Sequence, residues 1–466
     1  MKICMCFNRG FRREKESTVC LTVICPEIQM SNSMLHPEFE TLPAAEVLKL
    51  QGELWERQWA YVREHSTFYK EKYVDRFPAD LTLEGLQDLP FTEKDDLRLS
   101  QERSYPYGDY IACPDEAVVR LHITSGTTGR PLHLANSQKD LEWIAKIGGR
   151  AFYAAGLRPG DRVVHCLNYC MWTGGLTDHM NLEATGACVI PYGVGGAEKL
   201  LETIEQLGVT AISCTPSYPA LLEKLLREQG KDPRDLKLRL GLFGGEAGLD
   251  NLEFRQNLES RWGFSVRNAN YGMSEIMSIF GSQSEFTNDL HFHASDAVFV
   301  EILDAQGNVL PIREGTTGEL VCTHLRKECQ PLIRYRTRDV ITVTGIGKAE
   351  CGRTSWRFRV TGRTDDMFNV RGINVFPSAV QKAVMGRPDI SSGQFRIVLR
   401  GAGPWDRIEL TVEASQDLAP SEWERAARTL EQNVREHAGA TAVVTLVATD
   451  SLPRTAGKTN LIERIA

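Results

Sequence analysis

A short stretch rich in glycine and hydroxyl side chains carries the strongest chemical signal in the sequence. It reads Thr124-Ser125-Gly126-Thr127-Thr128-Gly129-Arg130-Pro131 and follows a predicted strand, Ala117–Ile123. Glycine lets the backbone approach a ligand closely and point its N–H groups at anionic oxygens. Serine and threonine hydroxyls add further donors. Ser125–Gly129 therefore predicts a loop that binds a polyphosphate, with a plain flexible turn as the alternative interpretation.

Other nucleotide-binding patterns fail on their spacing. The Walker pattern needs a glycine five positions before its Gly-Lys-Thr, and for Gly457-Lys458-Thr459 that position holds Leu452. A dinucleotide fingerprint starting at Gly345-Ile346-Gly347 would need a third glycine where Glu350 stands. The Gly-x-Ser-x-Gly and His-Glu-x-x-His signatures are also missing from the sequence. These failures argue against a P-loop NTPase, a dehydrogenase, a hydrolase of this type and a zinc protease.

Four further clusters combine glycine with aromatic or charged residues. They are Phe243-Gly244-Gly245-Glu246, Tyr271-Gly272-Met273-Ser274-Glu275, Arg334-Tyr335-Arg336-Thr337-Arg338-Asp339, and Gly362-Arg363-Thr364-Asp365-Asp366 with the nearby Val370-Arg371-Gly372-Ile373-Asn374. A carboxylate in a loop is usually only solvated, so each cluster by itself is a weak indication of a site. Their order along the chain is the informative feature.

Hydrophobic periodicity predicts the elements that position these clusters. Strands and helices alternate up to about residue 270, which is typical of a mostly parallel α/β sheet. The predicted strands are Arg162–Leu167, Ala187–Ile190, Thr210–Ser213 and Leu238–Phe243. The predicted helices cover 138–155, 197–207, 217–229 and 250–262. Strands dominate after residue 297, at Ala297–Leu303, Gly318–Thr323, Val340–Val343 and Trp356–Val360.

Two helices are predicted before the glycine-rich stretch. Ala44–Tyr73 is expected to form one helix whose apolar face carries Leu48, Trp55, Trp59 and Val62. A second helix is expected to start with Thr92 as N-cap and Asp95 at its third helical position.

The chain of 466 residues is long enough for two or three domains. The fold class is predicted to be α/β, with a large N-terminal α/β domain over 34–361 and a small, mobile C-terminal α+β domain over 362–466. The small domain is expected to contain the strands Phe395–Arg400, Arg407–Glu413 and Ala442–Val447 and a helix starting at Pro420-Ser421. Residues 1–33 are predicted to be a disordered extension, with a secretory signal as the alternative.

Composition narrows the class of protein further. The formal net charge of −7 gives no electrostatic support for a nucleic-acid partner. No apolar run approaches the roughly 20 residues of a membrane helix, so no membrane partner is expected. Twelve cysteines occur, without any Cys-x-x-Cys, in a chain too long and too poor in cysteine for a disulfide scaffold. We therefore expect a reduced, cytoplasmic protein.

Taken in order, the clusters resemble the adenylate-forming superfamily over about residues 40–466. Within it the chain is most similar to phenylacetate–CoA ligases, which Leu89–Arg98 and Asn369–Pro377 both resemble. The resemblance implies an AMP-forming carboxylate–CoA ligase that activates an aryl or arylacetic acid through an acyl-adenylate. It also implies ATP, Mg²⁺ and CoA as a co-substrate, with the active site in the cleft between the two domains.

The resemblance assigns roles to individual residues. The implied ATP-binding residues are Ser125, Gly126, Thr127, Thr128, Gly129, Gly244, Gly245, Glu246, Tyr271, Gly272, Met273, Ser274, Asp339, Arg363 and Asn374. Tyr271 would stack on the adenine, Asp339 would hold the ribose hydroxyls, and Arg363 would support ribose and phosphate. Glu275 would bind magnesium. Asp365 would be the hinge between the domains, and Lys458 the catalytic lysine.

The acid pocket is where the chain departs from the phenylacetate–CoA ligase pattern. The resemblance places Leu167, Tyr169, Trp172, Thr173 and Gly174 in this pocket. Leu167 replaces an aromatic residue of the pattern, and Trp172 replaces a phenylalanine. The acid itself is therefore left open, and ordinary core packing is the alternative interpretation of Tyr169 and Trp172.

Three alternatives accompany this interpretation. The acceptor of the acyl group could be the thiol of a carrier protein instead of CoA. The chain could also be a non-catalytic nucleotide-binding protein that kept the fold. Finally, His291 or His293 with Cys322 or Cys329 could bind zinc, although spacing alone cannot unite them. A homodimer is kept open as the oligomeric state.

Overall fold

Helices and strands alternate through the first half of the chain, and strands dominate the middle. The structure is a computed structural model that describes residues 33–74, 78–124, 130–246, 249, 251–371, 373–401, 403, 405–452 and 461–465. The helices are α1 Pro37–Glu40, α2 Ala44–His65, α3 Thr67–Lys72, α4 Lys94–Arg103, α5 Gln138–Ala154, α6 Thr173–Glu183, α7 Ala197–Leu207, α8 Tyr218–Glu228, α9 Leu252–Trp262, α10 Pro377–Met385 and α11 Trp423–Ala438. Short 3₁₀ turns lie at Glu84–Asp88, Asp115–Ala117, Pro233–Leu236 and Pro420–Glu422.

The strands are numbered β1 to β20 in chain order. They are β1 Arg120–Ile123, β2 His133–Asn136, β3 Arg162–His165, β4 Cys188–Pro191, β5 Ala211–Cys214, β6 Leu240–Gly244, β7 Ser265–Met273, β8 Met277–Ser284, β9 Thr287–Phe292, β10 Val298–Leu303, β11 Val309–Leu310, β12 Thr317–His324, β13 Tyr335–Gly345, β14 Arg357–Arg363, β15 Phe368–Val370, β16 Ile373–Val375, β17 Ser391–Arg400, β18 Ile408–Ala414, β19 Ala442–Val447 and β20 Ile462–Ile465.

Within the described residues, one twelve-stranded sheet organises the large N-terminal domain. Its order is β11-β10-β12-β13-β14-β9-β8-β7-β6-β5-β3-β4. The β4–β3–β5–β6–β7 part is parallel, and the remaining neighbours pair antiparallel. The predicted parallel α/β region is confirmed, and each of its predicted strands and helices agrees with the structure to within two residues. The sequence analysis missed β7, β8 and β9.

The parallel strands are covered by helices on both faces. Val164 and Ile212 pack in a core with Leu200 of α7, whereas their neighbours in the chain, Val163 and Ala211, pack in a separate core with residues of α5 and α6. Successive side chains of a strand point to opposite faces, so these two cores lie on opposite sides of the sheet. None of the described helices is long and apolar enough to cross a membrane.

Two details of the N-terminal helices correct the sequence expectations. The predicted helix 44–73 is broken at Ser66, whose side chain caps α3, and Leu48 is 53% exposed although Trp55, Trp59 and Val62 are buried. The N-cap of α4 is Glu93, in a capping box with Asp96. Thr92 instead donates to the Ile333 carbonyl at 2.7 Å, because a backbone bridge to Tyr335 holds it against the large sheet.

The small C-terminal domain has its own sheet and core. Its sheet order is β19-β18-β17-β20, and α10 and α11 pack on the apolar side chains of this sheet. The predicted strands are confirmed, and the helix α11 follows the 3₁₀ turn at Pro420–Glu422. The domain contacts the large one through Asn251 Nδ2, which donates to the Lys382 carbonyl at 3.2 Å, and through an ion pair between Lys224 and Asp450.

Candidate active site

The segment Gly244–Gly245 lies where the parallel strand β6 ends. Gly244 pairs in register with Asn270 of β7, and a Cβ on Gly244 would lie 2.3 Å from the Cβ of Asn270, so only glycine fits. Gly245 has φ +81°, which glycine adopts without strain. Ligands of open α/β sheets bind at the carboxyl ends of the strands, where this segment and the following Glu246 lie.

Tyr271 lies on the neighbouring strand β7 and faces a carboxylate. Its hydroxyl donates to Asp339 Oδ2 at 2.9 Å, and its ring packs edge-on against Phe280 and Phe358. Burial and the charge of Asp339 raise the pKa of Tyr271 well above its usual value. The phenol therefore stays protonated and keeps Asp339 in a fixed orientation.

Asp339 also accepts a hydrogen bond from Arg363, its register partner on β14. Arg363 in turn donates from Nε and Nη2 to the two carboxylate oxygens of Asp365, at 2.9 Å each. Burial by itself would lower the pKa of Arg363, but the carboxylates of Asp339 and Asp365 raise it above its usual value. The structure thus brings together four residues, Tyr271, Asp339, Arg363 and Asp365, that come from three separate sequence clusters.

Glu275 follows β7 and forms an ion pair that the sequence analysis missed. Lys94 Nζ, at the start of α4, lies 2.8 Å from Glu275 Oε1, and the Glu275 side chain is only 8% exposed. A small cavity adjoins Glu275 and is lined by Ser274, Glu275, Lys327 and Gln330 among others. The only signal for Lys94 in the sequence was its place in the Leu89–Arg98 stretch.

The turn before Glu275 needs a glycine. A Cβ on Gly272 would lie 2.2 Å from the Ser278 carbonyl oxygen, so no other residue fits between β7 and β8 at this point. The pairing of these strands shifts register between Tyr271 and Met273. Beyond this irregularity Met273 still pairs with Met277, and Ser274 and Glu275 lie in the turn that joins β7 to β8.

The predicted acid-pocket residues lie before and within the first turn of α6. Trp172 is the N-cap, and its indole covers Gly174, where a Cβ would lie 2.9 Å from the ring. The indole also reaches Gly245, whose added Cβ would lie 3.9 Å from it. The structure therefore places Trp172 beside the Gly244–Gly245 segment, and Thr173 is buried next to it.

The other two predicted acid-pocket residues lie before α6. Leu167 is buried, and the Tyr169 hydroxyl hydrogen-bonds His179 Nδ1 at 3.0 Å. The Tyr169 ring also lies edge-on to His165 and beside Gly193. Their described contacts are thus with the end of β3, with α6 and with the loop after β4.

Several predicted site residues lie outside the described residues. These are Ser125, Gly126, Thr127, Thr128, Gly129, Lys458 and the side chain of Asn374. The two ends of the glycine-rich stretch are described, however. Thr124 and Leu132 pair with each other, with Leu132 N–H donating to Thr124 Oγ1 at 2.9 Å, next to the antiparallel pair of β1 and β2. The stretch thus starts and ends at one point, between two strands.

The zinc alternative has no support in the described part of the chain. His291 contacts Ser355 and Cys351, and His293 contacts Ser282. Burial lowers the pKa of His291 to about 3, which leaves it neutral in the core. No group of three or more histidine, cysteine or acidic side chains among the described residues could hold a metal ion.

The chain belongs to the AMP-binding enzyme family. Residues 69–324 match the model of the AMP-binding enzyme, and residues 372–463 match the model of the AMP-binding enzyme C-terminal domain. The adenylate-forming fold, with its large N-terminal and small C-terminal domains, is thereby confirmed.

The chain is similar to named relatives and to a solved structure of this family. The chain is 37% identical to a phenylacetate-coenzyme A ligase of Pseudomonas putida, covering 91% of this chain and 95% of the relative, and 35% identical to that of Thermus thermophilus, covering 91% and 97%. Among solved structures, a 2-hydroxyisobutyryl-CoA ligase in its postadenylation state superposes with a TM-score of 0.84 at 29% identity, covering 92% and 91%. The same ligase in its thioesterification state gives a TM-score of 0.68, covering 93% of each chain.

Proposed function

We propose that the protein is an AMP-forming carboxylate–CoA ligase that activates an aryl or arylacetic acid as its acyl-adenylate. The observation that carries this proposal is the contact of Tyr271, Asp339 and Arg363 beside Gly244–Gly245. An adenine nucleotide needs a flat apolar surface for its base, an acceptor for its ribose hydroxyls and a cation near its phosphate. The family and the phenylacetate-coenzyme A ligase relatives support the same activity.

The first step joins the acid to AMP. A carboxylate oxygen attacks the α-phosphorus and pyrophosphate leaves, so negative charge grows on the phosphoryl oxygens. Fixed donors and cations stabilise this charge, which is the role of Arg363, Lys458 and the loop Ser125–Gly129 in this proposal. The acid is already ionised at pH 7, so no general base is needed in this step.

Glu275 is the proposed ligand of magnesium. Its Oε1 faces a cation, the Lys94 ammonium, at 2.8 Å, and its side chain is largely shielded from solvent. An oriented carboxylate of this kind fits Mg²⁺, which proteins bind through one or two carboxylates together with substrate phosphates. When bound, the metal would withdraw charge from the phosphates.

The acid is proposed to enter beside Trp172. The indole lies against Gly245, so an acid seated against the indole would present its carboxylate next to the nucleotide segment. Trp172 supplies a flat apolar surface, which suits an aromatic ring. This position supports an aryl or arylacetic substrate.

The second step transfers the acyl group to the thiol of CoA after the C-terminal domain has rotated. We place the boundary between residues 361 and 362 and the hinge at Asp365, two residues beyond the end of β14. The higher TM-score to the postadenylation state than to the thioesterification state supports a domain arrangement close to the former. Rotation about Asp365 would have to release the Arg363–Asp365 hydrogen bonds, which links the hinge to the nucleotide site.

The test is an acid-dependent exchange of pyrophosphate into ATP with a panel of aryl and alkyl acids. Exchange that requires both an aryl acid and Mg²⁺ is the expected result. Absence of exchange with every acid in the panel would favour the non-catalytic alternative. Supplying free CoA or a carrier protein with its phosphopantetheine arm in the full reaction then identifies the acceptor, and thioester formation only on the carrier would overturn the CoA assignment.

A further inference from the structure

A buried carboxyl on α6 has no role in the reaction as described so far. Asp178 is fully buried, and Asn270 Nδ2 donates a hydrogen bond to its Oδ2. Its other oxygen, Oδ1, has no hydrogen-bond partner within the described residues. Buried polar atoms are nearly always paired, so an unpaired carboxyl oxygen points to a ligand that completes the hydrogen bond.

The chemistry of this carboxyl is that of a neutral acid. Burial raises the pKa of Asp178 to about 8, although the nearby Ser278 hydroxyl and the Asn270 amide act in the opposite direction. The group is therefore mostly protonated at pH 7. Because Oδ2 accepts from Asn270, the proton belongs on Oδ1, which can then donate to a ligand.

The position of Asp178 connects it to the proposed acid pocket. Helix α6 reaches the Gly244–Gly245 segment at two points. Trp172 does so directly, and Asp178 does so through Asn270, whose Cβ abuts Gly244. A molecule seated against Trp172 and pointing its carboxylate at the nucleotide segment would thus extend toward this side of the helix.

A second unpaired oxygen lies on the same helix. Thr173 Oγ1, in the first turn of α6, is buried and has no partner within the described residues. Thr173 directly follows Trp172 in the chain, so its hydroxyl is a second hydrogen-bonding group next to the proposed position of the acid. Hydrogen-bonding groups of this kind suit an acid that carries a hydrogen-bonding substituent.

We propose that Asp178 is a specificity-determining residue that hydrogen-bonds a hydroxyl group on the acid substrate. This inference rests on the proposed function, in which the acid binds beside Trp172. A hydroxyl can accept from the protonated carboxyl and donate to the ionised one, so it pairs with Oδ1 in either state. An unsubstituted acid leaves Oδ1 unpaired, and a site that leaves a buried polar group unpaired discriminates against that substrate.

The experiment compares acids that differ by a single hydroxyl group. Phenylacetate is paired with ortho-, meta- and para-hydroxyphenylacetate and with mandelate, and kcat/KM is measured by pyrophosphate exchange on the full-length protein. We expect one hydroxylated acid to exceed phenylacetate by about 10- to 100-fold, the effect of leaving one buried polar group unpaired. Asp178→Ala should abolish this preference, because kcat/KM for the hydroxylated acid falls to that for phenylacetate. The KM for ATP should stay unchanged.

Two further variants serve as a control for changes on the same helix and as a replacement if Asp178→Ala does not fold. Leu176→Ala, at a position 38% exposed on the same helix, should leave the ratio unchanged. Asp178→Asn keeps the shape of the side chain, so it carries the comparison if Asp178→Ala does not fold, and it should lower the ratio less.

Three outcomes would overturn the inference. A wild-type protein that prefers phenylacetate to every hydroxylated partner does so, and so does an unchanged ratio in a folded Asp178 variant. In both cases exchange with phenylacetate leaves the proposed function standing. Exchange with none of the acids, including an aryl and alkyl panel, would overturn both.

Discussion

Replacing Glu275 by glutamine is the sharpest test of the proposed metal site. Glu275→Gln keeps the size and planar shape of the side chain but removes the charge that faces Lys94 at 2.8 Å. If the carboxylate binds magnesium during adenylation, the variant should fold normally and lose most of its adenylation rate.

We expect a small loss of stability and a large loss of adenylation rate. The stability depends on the ion pair with Lys94, whereas the rate depends on the proposed contact with magnesium. Lys94 is 37% exposed, so it can turn to solvent when its partner is lost, and breaking a pair of this kind destabilises the fold by only about 1 kcal/mol. For a chain of this size that corresponds to a Tm change of about 1 °C. Losing one contact that stabilises transition-state charge lowers the rate by about 10²–10³, or roughly 3–4 kcal/mol.

The assay is pyrophosphate exchange as a function of magnesium concentration, run beside thermal unfolding. We expect Glu275→Gln to lower the maximal rate and to raise the magnesium concentration needed for half of it. Glu350→Gln, at an exposed position, is the matched control and should change neither. Near-normal exchange by Glu275→Gln at low magnesium would refute the assignment of Glu275 to the metal.

The remaining predictions concern the acid, the ribose and the C-terminal lysine. Trp172→Ala should shift kcat/KM toward bulkier acids with an unchanged KM for ATP; an unchanged acid profile in the folded variant would make Trp172 a packing residue. Asp339→Asn should raise the KM for ATP roughly 10- to 100-fold, because Tyr271 and Arg363 both donate to that carboxylate, and an unaltered KM would contradict its ribose role. Lys458→Ala should cripple adenylate formation but still convert prepared acyl-adenylate to acyl-CoA, measured as separate half-reactions; equal loss in both would rule out domain alternation.

One helix of the site escaped prediction for a physical reason. The sequence of α6 contains two glycines together with threonine, aspartate and asparagine, all of which have low helix propensity. Its stability depends on packing against α5, where a Cβ on Gly148 would lie 2.1 Å from the Asn181 Cγ. Close approach of two helices is a tertiary property, and hydrophobic periodicity does not report it.

Local sequence patterns were sufficient to identify the family, the order of the chemical clusters and the alternation of strands and helices. These are local properties, because glycine positions, hydroxyl runs and apolar periods can be recognised within a few residues. The predicted parallel strands and their helices accordingly agree closely with the structure. The same local information placed Leu48 on a buried helix face and Thr92 at a helix cap, and both predictions were wrong because contacts with distant segments decide burial there.

Which of these residues contact one another depends on the three-dimensional fold. Tyr271, Asp339 and Arg363 come together because of the pairing of β13 with β14 and the position of β7 in the sheet. The Lys94–Glu275 pair and the Asp178–Asn270 contact likewise join segments far apart in the chain. Strand register and helix packing fix such contacts through the shape of the whole core, so no short stretch of sequence contains them.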